Sequence, residues 1–315
     1  MSQLTTYLEE GLIYAKAGCR GRYEGGETYA AGAPWPVTDL KSAVRYLRYN
    51  KNSIPWDTER IYTFGMSGGG AQSCLMGITG NSELYNSYLK ENGAVMEEGI
   101  KDNVKGSQCW CPITSLDTAN AAYEWNMCIY YNTNTRADGT FTKLLSEDFA
   151  AEFVKYINEI ELKDPDGNIL KLTDEFSGTY YDYVKKIIEE SLNNFLSDTE
   201  WPWTREEAKE FPRGLEAAAT YQNVTEYINY LNQKGKWVEY DSSTNTATIS
   251  NISEFAKNLK EPTKDVGAFD YLGRNQGENQ LFGISSETSN NKKHFDNIMY
   301  ELLVNNSDKY SKKSD

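Results

Sequence analysis

Two patterns of apolar and polar positions divide the chain. In the first, Leu12-Ile13-Tyr14-Ala15 is a short apolar run that predicts a strand, ending at Gly18-Cys19-Arg20-Gly21-Arg22 and a Gly-rich loop to about Pro36. Thr38 and Asp39 stand where a helix N-cap belongs, and Leu40, Ala43, Val44, Leu47 and Arg48 follow at helical spacing. Arg60-Ile61-Tyr62-Thr63-Phe64 predicts a buried strand that carries into Ser67. Gly69 to about Gly77 predicts a helix, and Ser107-Gln108-Cys109-Trp110-Cys111 predicts a further strand stopped by Pro112. Alternating strands and helices are the rhythm of a parallel sheet with crossover helices.

After about Asp117 the rhythm changes to aromatic and acidic helical stretches, such as Tyr180 to Ile188. Two hairpins interrupt them. One turns at Asp164-Pro165-Asp166-Gly167-Asn168; the other turns near Asp241 to Asn245, between Trp237–Tyr240 and Ala247–Ile249. The first has a superficial likeness to a calcium loop, but its glycine stands at the fourth place rather than the sixth and no glutamate occupies the twelfth. A long insertion of this kind commonly covers an active site. The expected organisation is an α/β core over residues 1–118, an inserted cap over 119–262, and a return segment with a disordered tail over 263–315. One helix, about His294 to Leu303, is expected in that return.

Net charge is −14, from 32 basic and 46 acidic residues, which argues against nucleic acid and anionic membranes as partners. Five cysteines show no disulfide framework and no CxxC; Cys109 and Cys111 are expected on one face of a strand. A single histidine excludes a zinc site built from several, and the reading calls for no metal and no cofactor. No apolar stretch reaches the ~20 residues of a membrane span. The first residues lack a basic and apolar leader, which favours the cytoplasm unless a leader has been lost with the front end.

Candidate chemistry centres on Gly65-Met66-Ser67-Gly68-Gly69, a G-x-S-x-G match between predicted strand and helix. A serine on so sharp a turn has its hydroxyl pushed out where a base can reach it, and the N–H of Gly68 points at the place where an oxyanion forms. Such a serine needs a histidine to take its proton and an acid to orient that histidine. His294 is the sole histidine, and Asp270 or Asp265 would complete a naive triad. His294 is expected on or just before a helix rather than on a strand-end loop, so it is read as a capping or surface residue instead of the base.

These residues resemble the bacterial tannases, α/β-hydrolases that cleave gallate esters. The resemblance runs through Gly18–Arg22, Ala33-Pro34, Asp39–Arg48, the serine turn, Cys111–Asp117 and Ala122-Tyr123-Glu124-Trp125. It continues at Gly267–Asp270, Gly277–Gly283 and His294-Phe295. It implies Ser67 as nucleophile, Gly68 as an oxyanion donor, and Lys264 with Glu278 as contacts to the galloyl hydroxyls. An ammonium donates to such hydroxyls and a carboxylate accepts from them. It also implies that the family's acid and histidine lie downstream of His294-Phe295 and its early oxyanion loop upstream, so the chain reads as incomplete at both ends. The substrate implied is a small phenolic ester. Two alternatives stay open: an esterase for feruloyl or other hydroxycinnamoyl esters, and an inactive hydrolase relative that at most binds phenolics.

Overall fold

A computed structural model describes residues 3–21, 34–207, 217–259, 262–269 and 297–311. The chain divides into two compact units, Met1–Ala119 with Phe269–Asp296, and Asn120–Ala268 with Asn297–Asp315.

The first unit opens with helix α1 (Gln3–Glu9), then α2 (Trp35–Tyr49), strand β1 (Tyr62–Met66), α3 (Gly68–Thr79), α4 (Asn86–Glu91) and β2 (Gly106–Trp110), and α5 (Leu116–Tyr123) leads out of it. β1 and β2 run parallel, in register from Tyr62 beside Gly106 to Met66 beside Trp110, with α3 and α4 in the crossover. Side chains alternate across the sheet. Thr63 and Gly65 face α3, where the Ser73 hydroxyl donates to Thr63 Oγ1 at 3.1 Å or the Gln108 carbonyl at 3.2 Å. On the other face, Phe64 packs against the stacked rings of Tyr7 and Tyr14. Val37, Val44 and Met76 form the core between α2 and α3, with Leu40, Ile61, Leu75 and Val104 around them. Beneath it Lys41, wholly buried, meets Asp102 at 3.1 Å and the Gly80 carbonyl at 2.5 Å, and Arg45 holds the other Asp102 oxygen at 3.2 Å.

Four expectations are corrected here. The strand expected to be buried is exposed along one face, at Tyr62, Phe64 and Met66. Leu12–Ala15 forms no strand: Leu12 and Ile13 are exposed, and Tyr14 is held by its ring contacts rather than by a ladder. Helix α2 starts a turn earlier than Thr38, because Pro36 suits a first helical turn and Trp35 begins it. Cys109 and Cys111 do not share a strand face, since the chain leaves β2 at Trp110 and Cys111 has φ 44°.

Asp39, freed from capping, accepts Arg20 Nη2 at 2.6 Å, Nε at 3.0 Å and the Arg20 backbone N–H at 2.8 Å, and Arg20 lies over the Trp35 ring. Burial pushes the Asp39 carboxyl up, but the Arg20 and Asn92 hydrogen bonds outweigh it and hold the group below the ordinary carboxylate range. A depressed folded pKa contributes stability above the unfolded pKa that is lost as pH falls through the folded one. Asp39→Asn is therefore expected to cost about 1–2 kcal/mol at pH 7. The gap to the wild type should begin to narrow below about pH 4 and close only beneath the depressed folded pKa, and urea midpoints across pH 2–7 check it. A gap independent of pH would assign the loss to packing.

The second unit starts where α5 runs into a π-helical turn, Glu124–Cys128. Long helices α6 (Phe141–Ile160) and α7 (Thr179–Asp198) follow, then the hairpin of β3 (Trp203–Arg205) and β4 (Ala219–Tyr221), α8 (Val224–Leu231), the hairpin of β5 (Val238–Asp241) and β6 (Thr246–Ile249), α9 (Ile252–Leu259), α10 (Asn297–Asn305) and α11 (Ser307–Ser311). Leu196, Ile228, Trp237, Val238, Ala247 and Ile249 make one core between α7, α8 and the second hairpin. Asn193 ties that hairpin to α7 by exchanging two hydrogen bonds with the Ala247 backbone at 2.7 and 2.9 Å. The turn at 164–168 is a local hairpin turn: the Asp164 carboxylate accepts the N–H groups of Asp166 and Asn168, and Gly167 takes φ 87°.

The tail is more ordered than its composition suggests. Residues 307–311 are helical, Tyr310 is buried, and its hydroxyl and the Lys309 ammonium both bond Asp148 of α6. Residues 312–315 lie outside the described residues.

Candidate active site

One residue separates β1 from α3, and it must reverse the chain. Ser67 does so at φ 57°, ψ −118°, a conformation that costs a non-glycine residue roughly 1–3 kcal/mol and persists only where its surroundings impose it. The Ser67 N–H donates to the Trp110 carbonyl at 2.9 Å, so the turn is pinned to the end of β2. Its carbonyl accepts the Ala71 N–H at 3.0 Å and the Ile113 N–H at 3.4 Å. Two further residues near the end of β2 carry positive φ, Cys111 at 44° and Ser115 at 53°.

Glycines permit this turn by the absence of Cβ atoms. A Cβ on Gly65 would stand 2.2 Å from the Gly69 carbonyl oxygen, and one on Gly70 would stand 2.6 Å from the Trp110 carbonyl oxygen. Helix α3 thus lies against both strands at backbone contact. The Ser67 side chain is exposed, and its hydroxyl makes no hydrogen bond among the described residues. The Gly68 N–H belongs to the first turn of α3, where helical N–H groups lack intrahelical acceptors and carry the positive end of the helix dipole. A hydroxyl and an open N–H stand side by side at the carboxyl ends of parallel strands, the end at which open α/β sheets carry their sites. This arrangement can deliver an oxygen nucleophile and receive the charge that develops on a carbonyl oxygen.

Lys264 belongs to the second unit, on the segment after α9. It is half-buried, its carbonyl accepts Arg136 Nη1 at 3.1 Å, and its backbone also hydrogen-bonds Tyr123. Val266 and Ala268, just beyond, are buried, while Asp265 is exposed. Glu278, Asp270 and His294 lie outside the described residues.

Sequence reasoning missed the group beneath Lys264. Glu124 and Arg136 are wholly or almost wholly buried and form a two-pronged ion pair, Nη2 to Oε1 at 2.6 Å and Nε to Oε2 at 2.8 Å, with the Ser146 hydroxyl donating to Oε2 at 2.6 Å. Burial opposes the charge on Arg136, and Glu124 more than restores it. Burial also pushes the neighbouring Cys128 thiol far up, so it stays protonated. The only sequence signal was Ala122–Trp125 as one of the stretches of the resemblance.

With this geometry in view, the chain falls in the class of α/β-hydrolase-type folds. The BD-FAE family model, an esterase family, matches residues 14–156. Among solved structures, the chain is 27% identical to the tannase of Fusobacterium nucleatum, at TM-score 0.66 over 97% of this chain and 61% of that one. It is 27% identical to the tannase of Lactobacillus plantarum, at TM-score 0.62 over 89% of this chain and 57% of that one. A tannin acyl hydrolase in complex with 3,4-dihydroxybenzoate is 27% identical, at TM-score 0.61 over 88% of this chain and 54% of that one. The chain therefore spans about three fifths of the length of the Fusobacterium tannase it matches. No curated protein sequence gives a significant match. The likeness to tannases read from the sequence is recovered by the solved structures, and the family model agrees at the level of an esterase.

Proposed function

We propose that this chain carries the nucleophile and acyl-side contacts of a serine ester hydrolase that acts on galloyl esters. The strained backbone of Ser67 carries the reading: a non-glycine residue at φ 57° between a parallel strand and a close-packed helix is costly and is what presents a hydroxyl for attack. In the proposed reaction Ser67 Oγ adds to the ester carbonyl carbon as its proton passes to a base. The carbonyl oxygen takes the electron pair and is met by the Gly68 N–H. Collapse expels the alcohol and leaves a galloyl-serine ester, which water then cleaves to free gallate. The general base and its acid partner are assigned to no described residue.

Residues 1–118 serve in this reading as the hydrolase core, 119–262 as an inserted cap, and 263–315 as the return segment. Lys264 and Glu278 are the proposed contacts to the ring hydroxyls. The bound dihydroxybenzoate of a 27% identical tannin acyl hydrolase supports a phenolic acyl group. In a form of the protein extended to carry the general base and acid, Lys264→Ala and Glu278→Ala are each expected to lower kcat/KM for methyl gallate on the order of 100-fold, with methyl benzoate changed less than about threefold, because unpaired polar groups are what penalise the wrong ring. Equal losses on both esters would favour a hydroxycinnamoyl esterase, the second class of substrate. The other reading is a phenolic-binding relative without turnover. Gallate binding without methyl gallate hydrolysis would establish it.

A further inference from the structure

The buried ion pair of the second unit has a feature that stability alone does not explain. Replacing such pairs with apolar residues of similar size is often neutral or favourable. Here the pair reaches across the sequence: Arg136 spends Nε and Nη2 on Glu124 and turns Nη1 to the carbonyl of Lys264, at 3.1 Å and 128 positions away. Tyr123, next to Glu124, hydrogen-bonds the Lys264 backbone as well. Glu124 begins a π-helical turn closed by the Ile129 N–H on the Glu124 carbonyl at 3.0 Å, a rare local form often found at functional sites. Ser146 of α6 fixes the carboxylate from a third side. Lys264 thus leaves a backbone held by two side chains, while its own side chain is only half-buried.

We propose that Arg136, clamped by Glu124 and Ser146, is a positioning residue that fixes the Lys264 backbone so that its ammonium is set in advance for the ring hydroxyls of a galloyl group. The proposal rests on the reading of Lys264 given above. A long lysine side chain anchored at its root has less freedom to lose on binding, which raises affinity without a new contact.

Calorimetric titration of gallate into the wild type, Arg136→Lys, Lys264→Ala and the double variant tests it. Arg136→Lys is expected to weaken gallate about fivefold to tenfold. In the Lys264→Ala background the same change should add nothing, since a residue that acts through another shows its effect only while the other is present. Equal losses in the two backgrounds mean general loosening and overturn the proposal, as does no loss in the wild-type background. Unchanged gallate binding in Lys264→Ala, or none in the wild type, overturns the galloyl reading itself. Hydrogen exchange then decides the anchoring separately: without ligand, amides 262–268 should exchange faster in Arg136→Lys, and unchanged exchange rules the anchor out. Should Arg136→Lys fail to fold, the pair Glu124→Leu with Arg136→Met keeps the site apolar and filled while removing the donor, and the same measurements apply.

Discussion

Ser67→Ala, in a form of the protein extended to carry the general base and acid, is expected to abolish methyl gallate hydrolysis, with kcat falling on the order of 10⁴-fold or more while the thermal midpoint stays within a few degrees. The size follows from the loss of covalent chemistry: without Oγ no acyl-enzyme forms, and the oxyanion donor and binding contacts leave only a residual rate. A companion variant separates the hydroxyl from the backbone that presents it. Ser67→Gly also loses the hydroxyl, but glycine takes φ 57° without strain, so this variant should be more stable than the wild type by about 1 kcal/mol. Alanine keeps the strain and should not gain. Loss of activity together with a gain in stability is the signature of a residue held in a costly conformation for its chemistry. Retained turnover in Ser67→Ala would refute Ser67 as nucleophile; a Ser67→Gly no more stable than Ser67→Ala would refute the strain.

What could be read from the sequence divides by the range of the interactions involved. The β1–Ser67–α3 turn was legible because its determinants are contiguous: a β-prone run, a glycine-rich stretch, and small residues at helical spacing. The hairpin at 241–245 was legible for the same reason, its turn residues lying between two apolar runs. Leu12–Ala15 misled because a short apolar run specifies burial without a partner, and its tyrosine found Tyr7 and Phe64 rather than a ladder. The polar tail misled in the opposite direction, because composition carries no sign that Tyr310 and Lys309 converge on Asp148 across more than 160 positions. Glu124 and Arg136 were invisible as a pair: a charged residue in a helical run and another in a polar loop read as solvated until the fold buries both. Lys264 was named only through the resemblance. The anchoring of its backbone needed coordinates, because a hydrogen bond to a carbonyl leaves no mark on residue type.

The same contrast gives a second large effect, on stability rather than rate. The motif treats Gly65 and Gly69 alike, but their surroundings differ. A Cβ on Gly65 would lie 2.2 Å from the carbonyl oxygen and 2.4 Å from the carbonyl carbon of Gly69, and these are backbone atoms that move only if α3 moves. A Cβ on Gly69 would meet nothing within 4 Å. Gly65→Ala is therefore expected to cost on the order of 3 kcal/mol or more, by overpacking with no flexible neighbour to absorb it. Gly69→Ala should stay within about 1 kcal/mol of the wild type, since alanine suits a helix better than glycine. Gly70, outside the motif, should resemble Gly65, because its Cβ would stand 2.6 Å from the Trp110 carbonyl oxygen. That oxygen accepts the Ser67 N–H, so relief of either clash would displace the nucleophile and the Gly68 N–H together. Urea unfolding of the three alanine variants ranks them. Equal losses at positions 65 and 69 would mean that the motif reflects turn flexibility; a loss confined to 65 and 70 means that it reflects the contact of helix α3 with the two strands behind the serine.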